Sequence, residues 1–118
     1  MRISTFATAA LLTVIGGAAA EAHAFLDHAE PRVGSTVPTA PREVSLTYTQ
    51  NLEPAFSAME VSDADGKRVD LGKPAFSGTV MRVGLKPLSP GTYRVRWHVL
   101  SVDTHRTEGN FSFHVGEE

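Results

Sequence analysis

The stretch Gly91-Thr92-Tyr93-Arg94-Val95-Arg96-Trp97-His98-Val99 decides the fold. Its apolar residues occupy every second position, and the residues between them are polar or charged. Since successive side chains of a β-strand point to opposite faces, this alternation predicts a long strand with one buried and one solvent-facing side. Pro90 and Gly91 form a turn signal at its start.

Shorter segments repeat the same alternation and are separated by Gly, Pro and Asp. Asp65-Gly66 is a hairpin-turn signal between the predicted strands Met59–Asp63 and Lys67–Leu71. Counting these segments gives about seven strands. The sequence therefore predicts an all-β, Ig-like Greek-key β-sandwich or barrel whose apolar faces pack together. The other apolar sets are Val44, Leu46 and Tyr48; Met81, Val83 and Leu85; and Phe111, Phe113 and Val115.

Residues 1–22 have the order of a secretory signal peptide: Arg2, then an apolar run from Phe6 to Ala20, then small residues. The run is shorter than the roughly 20 apolar residues of a membrane span, although a retained anchor is the alternative interpretation. Cleavage after Ala22 would make His23 the first mature residue, whereas cleavage after Ala24 would discard His23, and the leader itself does not decide between them. Residues 23–118 are predicted to form one exported domain.

Composition excludes several classes of function. The 118 residues carry a net charge of −2 and contain no cysteine, so thiolate catalysis and thiolate metal sites are excluded. No basic stripe is present, which argues against nucleic acid as a partner. No helix with a basic face is indicated, which argues against binding to a membrane surface.

Two stretches hold candidate metal ligands. Asp103 and His105 follow the long strand, and they would point the same way if the chain stayed extended through Thr104. His23, as a free N-terminal residue, would offer its amine and its ring as a chelate. Three nitrogens and one carboxylate oxygen suit Cu(II). Each stretch is weak evidence alone, because an Asp-x-His loop is more often a hydrogen-bonded turn.

The mature chain resembles the CopC family along nearly its whole length. The matching segments are His23-Ala24-x-Leu26, Pro31 to Gly34, Leu46 to Thr49, Pro90 to Trp97, Ser101-x-Asp103-Thr104-His105 and Gly109 to Phe113. The resemblance implies a periplasmic, cupredoxin-like sandwich that binds one Cu(II) ion through His23, Asp103 and His105, and it favours cleavage before His23. It also implies a CopD-type inner-membrane copper transporter as partner.

The sequence departs from the family pattern at two points. Gln50 stands where some members have a glutamate ligand, and Glu53, three residues on, is a possible substitute. Some members hold Cu(I) in a methionine-rich loop. Met59 and Met81 instead alternate with polar residues as core positions do, so no separate Cu(I) site is expected.

The remaining histidines have a simpler interpretation. His28 is predicted to be a surface residue or a neighbour of the site, because five positions from His23 it points to the opposite face of an extended strand. His98 and His114 are expected on polar strand faces.

Three functions compete on this evidence. The first is a copper-homeostasis or copper-resistance protein that sequesters Cu(II) or delivers it to a partner, with no enzymatic activity. The second is a metal-free Ig-like interaction module, and this interpretation is favoured if His23 is lost on processing. The third is a copper-dependent oxidase or oxygenase, which would need open coordination positions that Asp103 would reduce.

Overall fold

A computed structural model describes residues 25–116 as a sandwich of two four-stranded sheets. The predicted leader, His23 and residues 117–118 lie outside this range. The first sheet has the order β1-β3-β6-β5 and the second β2-β8-β7-β4. The strands are β1 (Leu26–Glu30), β2 (Thr36–Val37), β3 (Glu43–Tyr48), β4 (Ala58–Ser62), β5 (Ala75–Ser77), β6 (Val80–Gly84), β7 (Gly91–Leu100) and β8 (Arg106–Val115).

The all-β sandwich prediction is confirmed, with eight strands in the described range against an expected seven or so. The chain changes sheets at most of its connections, as Greek-key sandwiches do. Every pairing is antiparallel except that of β2 with β8. The strands β1, β2 and β5 are the ones that alternation does not indicate. A single 3₁₀ turn, Pro54–Phe56, separates β3 from β4 within the described range.

The predicted strand Lys67–Leu71 is wrong, because this segment crosses from one sheet to the other. Arg68 bridges to β4, and Asp70 bridges to Leu85 beyond β6. The buried carboxylate of Asp70 accepts the Val61 amide at 2.9 Å, the Gly72 amide at 3.1 Å and the Arg68 guanidinium at 2.8 Å. A side chain that bonds the backbone in this way replaces part of a strand ladder. The Val69 amide donates to the Val61 carbonyl at 2.8 Å and the Leu71 amide to the Gly84 carbonyl at 2.9 Å, so the segment bonds to both sheets without forming a continuous ladder in either.

The core lies between the sheets and is made of the predicted inward-facing sets. Tyr48 and Trp97 meet edge to face at 5.2 Å between ring centroids, which joins the two sheets. Gly109 lies beneath the indole, and a Cβ there would be 2.7 Å from Trp97 Cζ2. Met59 and Met81 are both buried in this core. The remaining buried apolar residues are Ala29, Val44, Leu46, Leu52, Val61, Val83, Leu85, Tyr93, Val95, Val99, Phe111, Phe113 and Val115.

The long hairpin of β7 and β8 positions the candidate site. Its pairing runs without interruption from Gly91 opposite Val115 to Leu100 opposite Arg106. The loop 101–105 therefore lies at the tip of the longest and most continuous pair of strands in the described range. Residues 25–116 contain no helix long and apolar enough to cross a membrane.

Candidate metal centre

The loop 101–105 brings Asp103 and His105 together. Asp103 Oδ2 lies 3.4 Å from His105 Nδ1. The two side chains are 38% and 44% exposed, although the Nδ1 atom of His105 is itself buried. The predicted convergence of Asp103 and His105 is thus present in the structure.

The expected reason for that convergence, an extended chain, is wrong. The loop is a tight turn in which the Thr104 amide donates to the Ser101 carbonyl at 2.8 Å and the Ser101 amide to the His105 carbonyl at 2.9 Å. Thr104 has φ +68°, in the left-handed region that a β-branched residue rarely adopts. The turn, rather than strand alternation, brings the side chains of Asp103 and His105 together.

Hydrogen bonding favours the ionised form of Asp103. The Ser101 hydroxyl donates to Asp103 Oδ1, and the neighbouring His105 adds a smaller contribution. Together these interactions hold the pKa of the Asp103 carboxyl below its usual range, against the opposing effect of desolvation. The carboxylate is therefore charged and ready to bind a cation at neutral pH.

A second segment, residues 49–53, lies beside this loop. The Val102 amide donates to the Asn51 carbonyl at 3.0 Å, and the Glu53 amide donates to the Leu100 carbonyl at 2.8 Å. Gln50 is half-buried within this segment. Gln50, the position where some family members have a glutamate, therefore lies at the same end of the sandwich as the Asp103 loop.

The described chain also begins at this end of the sandwich. The Phe25 amide donates to Thr49 Oγ1 at 3.0 Å, and the Thr49 amide donates to the Phe25 carbonyl at 3.0 Å. Thr49 is two residues from Asn51, which bonds the Asp103 loop. Phe25 is therefore bonded to the fold through Thr49, close in sequence to the residue that bonds the Asp103 loop.

The other sequence-predicted residues are placed as follows. His28 Nε2 lies 3.7 Å from Glu30 Oε2 on β1, and its side chain is 55% exposed, in keeping with the surface interpretation. Glu53 is half-buried, and its carbonyl accepts the Ser57 hydroxyl at 2.9 Å. His98 is half-buried, whereas His114 is exposed on β8 as expected. His23 lies outside the described residues.

In the described part of the chain, no three His, Cys, Asp or Glu side chains group closely enough to hold a metal ion. Asp103 and His105 are thus a pair, and neither His28 nor Glu53 completes them. A third ligand would come from outside residues 25–116 or from another type of group.

Comparison with known proteins identifies the fold family. A profile of the CopC domain matches residues 26–116, which is most of the chain. This chain belongs to the CopC domain family.

Individual relatives of this CopC domain agree with that assignment. Copper resistance protein C of Xanthomonas campestris pv. juglandis is 34% identical over 110 residues, covering 86% of each chain. The crystal structure of CopC from Methylosinus trichosporium OB3b superposes with a TM-score of 0.74 at 31% identity, covering 79% of this chain and 93% of that one. The copper transport protein CutJ of Bacillus subtilis is 30% identical over 100 residues, covering 81% of this chain but 18% of CutJ.

Sequence reasoning missed two residues of the site. Ser101 appeared only as part of a motif, yet it is fully buried and bonds Asp103 directly. Thr49 appeared only as part of a strand, yet it anchors the start of the described chain. A serine directly after a run of alternating apolar residues was the available signal for Ser101, because that position begins the turn.

Proposed function

We propose that this CopC domain binds one Cu(II) ion through His23, Asp103 and His105, in the periplasm, and holds or delivers copper without catalysing a reaction. Family membership and the relatives named for copper resistance and copper transport support a function connected with copper. The observation that supports this site most directly is the anchoring of Phe25 beside the segment that bonds the Asp103 loop.

On this proposal, His23 reaches the Asp103–His105 pair from Phe25. His23 precedes Phe25 by two residues, and two extended residues span about 7 Å. Phe25 is bonded to Thr49, and Asn51 is bonded to Val102 in the ligand loop. The proposal requires an N-terminal arm of this length to bring the amine and imidazole of His23 to the pair.

The chemistry of this donor set favours Cu(II). Two imidazoles, an amine and one carboxylate oxygen are the mixed nitrogen and oxygen ligands that tetragonal Cu(II) prefers, and Cu(II) has the highest affinity among divalent first-row metals. The proposal includes no separate Cu(I) site, since Met59 and Met81 are both buried in the core. Four protein donors also leave few positions for oxygen activation, which is why the proposal is non-catalytic.

Export and a delivery partner are part of the same proposal. Cleavage before His23 would release the mature domain into the periplasm and create the free amine. In CutJ, a segment similar to this domain is about a fifth of a longer protein named for copper transport. The name of that relative supports the proposal that this domain delivers copper to a CopD-type inner-membrane transporter.

Native mass spectrometry of the protein exported to a bacterial periplasm, with one equivalent of Cu(II), tests the proposal. We expect a mature chain that starts at His23 and retains one copper ion. Retention should decrease from pH 8 to pH 5, because protons compete with the metal for the amine and both imidazoles. A chain that starts at Phe25, or one that retains no copper, would overturn the proposal.

Three variants assign the ligands. His105→Ala should lose most of the copper affinity, and one extra residue before His23 should abolish the amine chelate. His114→Ala is the matched control, since His114 is exposed on β8 and hydrogen-bonds Thr92. If His105→Ala binds copper as tightly as His114→Ala does, His105 is not a ligand.

A further inference from the structure

Ser101 makes hydrogen bonds to all three residues of the Asp103-Thr104-His105 turn. Its hydroxyl donates to Asp103 Oδ1. Its carbonyl accepts the Thr104 amide at 2.8 Å, and its amide donates to the His105 carbonyl at 2.9 Å. Ser101 is itself fully buried at the tip of the β7–β8 hairpin. One buried residue, through its side chain and its backbone, thus connects the core to the whole ligand turn.

The hydroxyl proton of Ser101 has two acceptors nearby. Besides Asp103 Oδ1, the His105 carbonyl lies 3.2 Å from Ser101 Oγ. A hydroxyl carries a single proton, and bonds to an ionised acceptor are the stronger and shorter ones. The proton is therefore directed mainly to the carboxylate, and the carbonyl is satisfied by the Ser101 amide.

This bond distinguishes the two oxygens of Asp103. Oδ1 is engaged by Ser101, whereas Oδ2 faces His105 Nδ1 at 3.4 Å. A carboxylate held in this way presents one oxygen to a cation beside the imidazole. Cations that need many oxygen ligands often take a carboxylate through both oxygens, whereas a set of three nitrogens and one oxygen needs only one.

We propose that Ser101 is a positioning residue that fixes Asp103 as a single-oxygen ligand beside His105 before copper arrives. The inference rests on the proposed function, in which Asp103 and His105 bind Cu(II). Residues that orient metal ligands commonly affect metal affinity by about 10- to 100-fold when removed. We expect a loss of this size for Ser101→Ala.

Ser57→Ala is the matched control. Ser57 is also a buried serine at this end of the sandwich, and its hydroxyl donates to the Glu53 carbonyl at 2.9 Å and accepts the Leu100 amide at 3.1 Å. Both variants remove one buried hydroxyl, but only Ser101→Ala removes a bond to a ligand carboxylate. A general loss of stability affects both, whereas a positioning effect is confined to Ser101→Ala.

Two measurements test the role. In competition with a chromophoric chelator, Ser101→Ala should bind Cu(II) about 10- to 100-fold more weakly, and its Cu(II) electron paramagnetic resonance spectrum should change. Ser57→Ala should keep the wild-type affinity and spectrum. In the metal-free wild-type protein, the three-bond couplings of the Asp103 β-protons should report one χ1 rotamer, which becomes averaged in Ser101→Ala.

The outcomes separate this inference from the proposed function. Wild-type affinity and an unchanged spectrum in Ser101→Ala would overturn the positioning role while leaving copper binding intact. Rotamer averaging at Asp103 in the wild-type protein would overturn it even if Ser101→Ala does not fold. Absence of copper binding by the wild-type protein would instead refute the proposed function, on which this role rests.

Discussion

Replacing Thr49 with valine should weaken copper binding without unfolding the domain. The substitution keeps the β-branched shape but removes the hydroxyl that accepts the Phe25 amide at 3.0 Å. That bond is one of two that connect Phe25 to the end of β3; the other, from the Thr49 amide to the Phe25 carbonyl at 3.0 Å, is unaffected. On the proposed function, Phe25 carries the arm that ends in His23, so a looser anchor makes the third ligand more costly to order.

The size of the effect of Thr49→Val follows from one hydrogen bond. A typical intramolecular bond contributes about 0.5–1.5 kcal/mol. Phe25 is 42% exposed, so water replaces the lost acceptor and the cost falls in the lower half of that range. At about 1.4 kcal/mol per tenfold change, the dissociation constant for Cu(II) should rise about two- to fivefold.

Chelator competition measures this change, with thermal unfolding of the metal-free protein alongside. Thr47→Val is the matched control on the same face of β3, and Thr49→Ser should retain wild-type affinity because it keeps the hydroxyl. Equal copper affinity in wild type and Thr49→Val would refute the argument that the Phe25 anchor positions a ligand. Equal weakening in Thr47→Val would point to the strand rather than the anchor.

Three further predictions concern the stability of the metal-free domain. Asp70→Ala should lower the free energy of unfolding, measured with urea, by about 1–3 kcal/mol, because it leaves a buried amide without its acceptor. Arg68→Ala, at a half-exposed side chain, should lower it by under about 1 kcal/mol. Equal costs for the two variants would contradict this prediction. Burial raises the pKa of Asp70, but its hydrogen bonds from Arg68 and two backbone amides outweigh burial and hold the pKa below the usual value. Stability should therefore decline as pH falls below about 3.9, the unfolded value. Urea titrations from pH 6 to pH 2 should show a shallower decline in Asp70→Ala than in wild type, and parallel curves would contradict this prediction. Gly109→Ala should lower the free energy of unfolding by about 1–3 kcal/mol, because its methyl group overpacks against Trp97. Each kcal/mol corresponds to about 4–8 °C in melting temperature. Circular dichroism melts should show a smaller cost in the Trp97→Phe background, and the same cost in both backgrounds would rule out the indole contact as the cause.

The sequence predicted those parts of the fold whose structure follows from local alternation. Tyr93 to Val99 and Phe111 to Val115 have strict period-two patterns, and both belong to the long hairpin. The strand prediction for Lys67–Leu71 was wrong although the apolar residues of this segment alternate too. The buried carboxylate of Asp70 accepts hydrogen bonds from backbone amides that would otherwise bond to a neighbouring strand. Such a bond between distant residues leaves no periodic signal.

The sequence predicted that Asp103 and His105 lie together, but not the local geometry that brings them together. Asp103 and His105 were identified from their types and spacing, and the resemblance to CopC added the role of the pair. The left-handed Thr104 was not predictable, since a threonine rarely adopts that conformation and no glycine marked the turn. The anchoring of Phe25 by Thr49 joins residues 24 positions apart, so only the assembled sheet reveals it.

On the proposed function, the copper ligands divide into a pair positioned by the fold and a third ligand on an N-terminal arm. Asp103 and His105 stand on a turn fixed by a buried serine at the tip of the longest hairpin, so their relative position is determined by the fold. On the proposed function, His23 is instead joined to the fold through Phe25 and its two bonds to Thr49. Releasing that arm would remove two of the four donors at once while the sandwich stays folded. A site divided in this way can hold Cu(II) firmly through chelation and still give it up to a partner that competes for the arm.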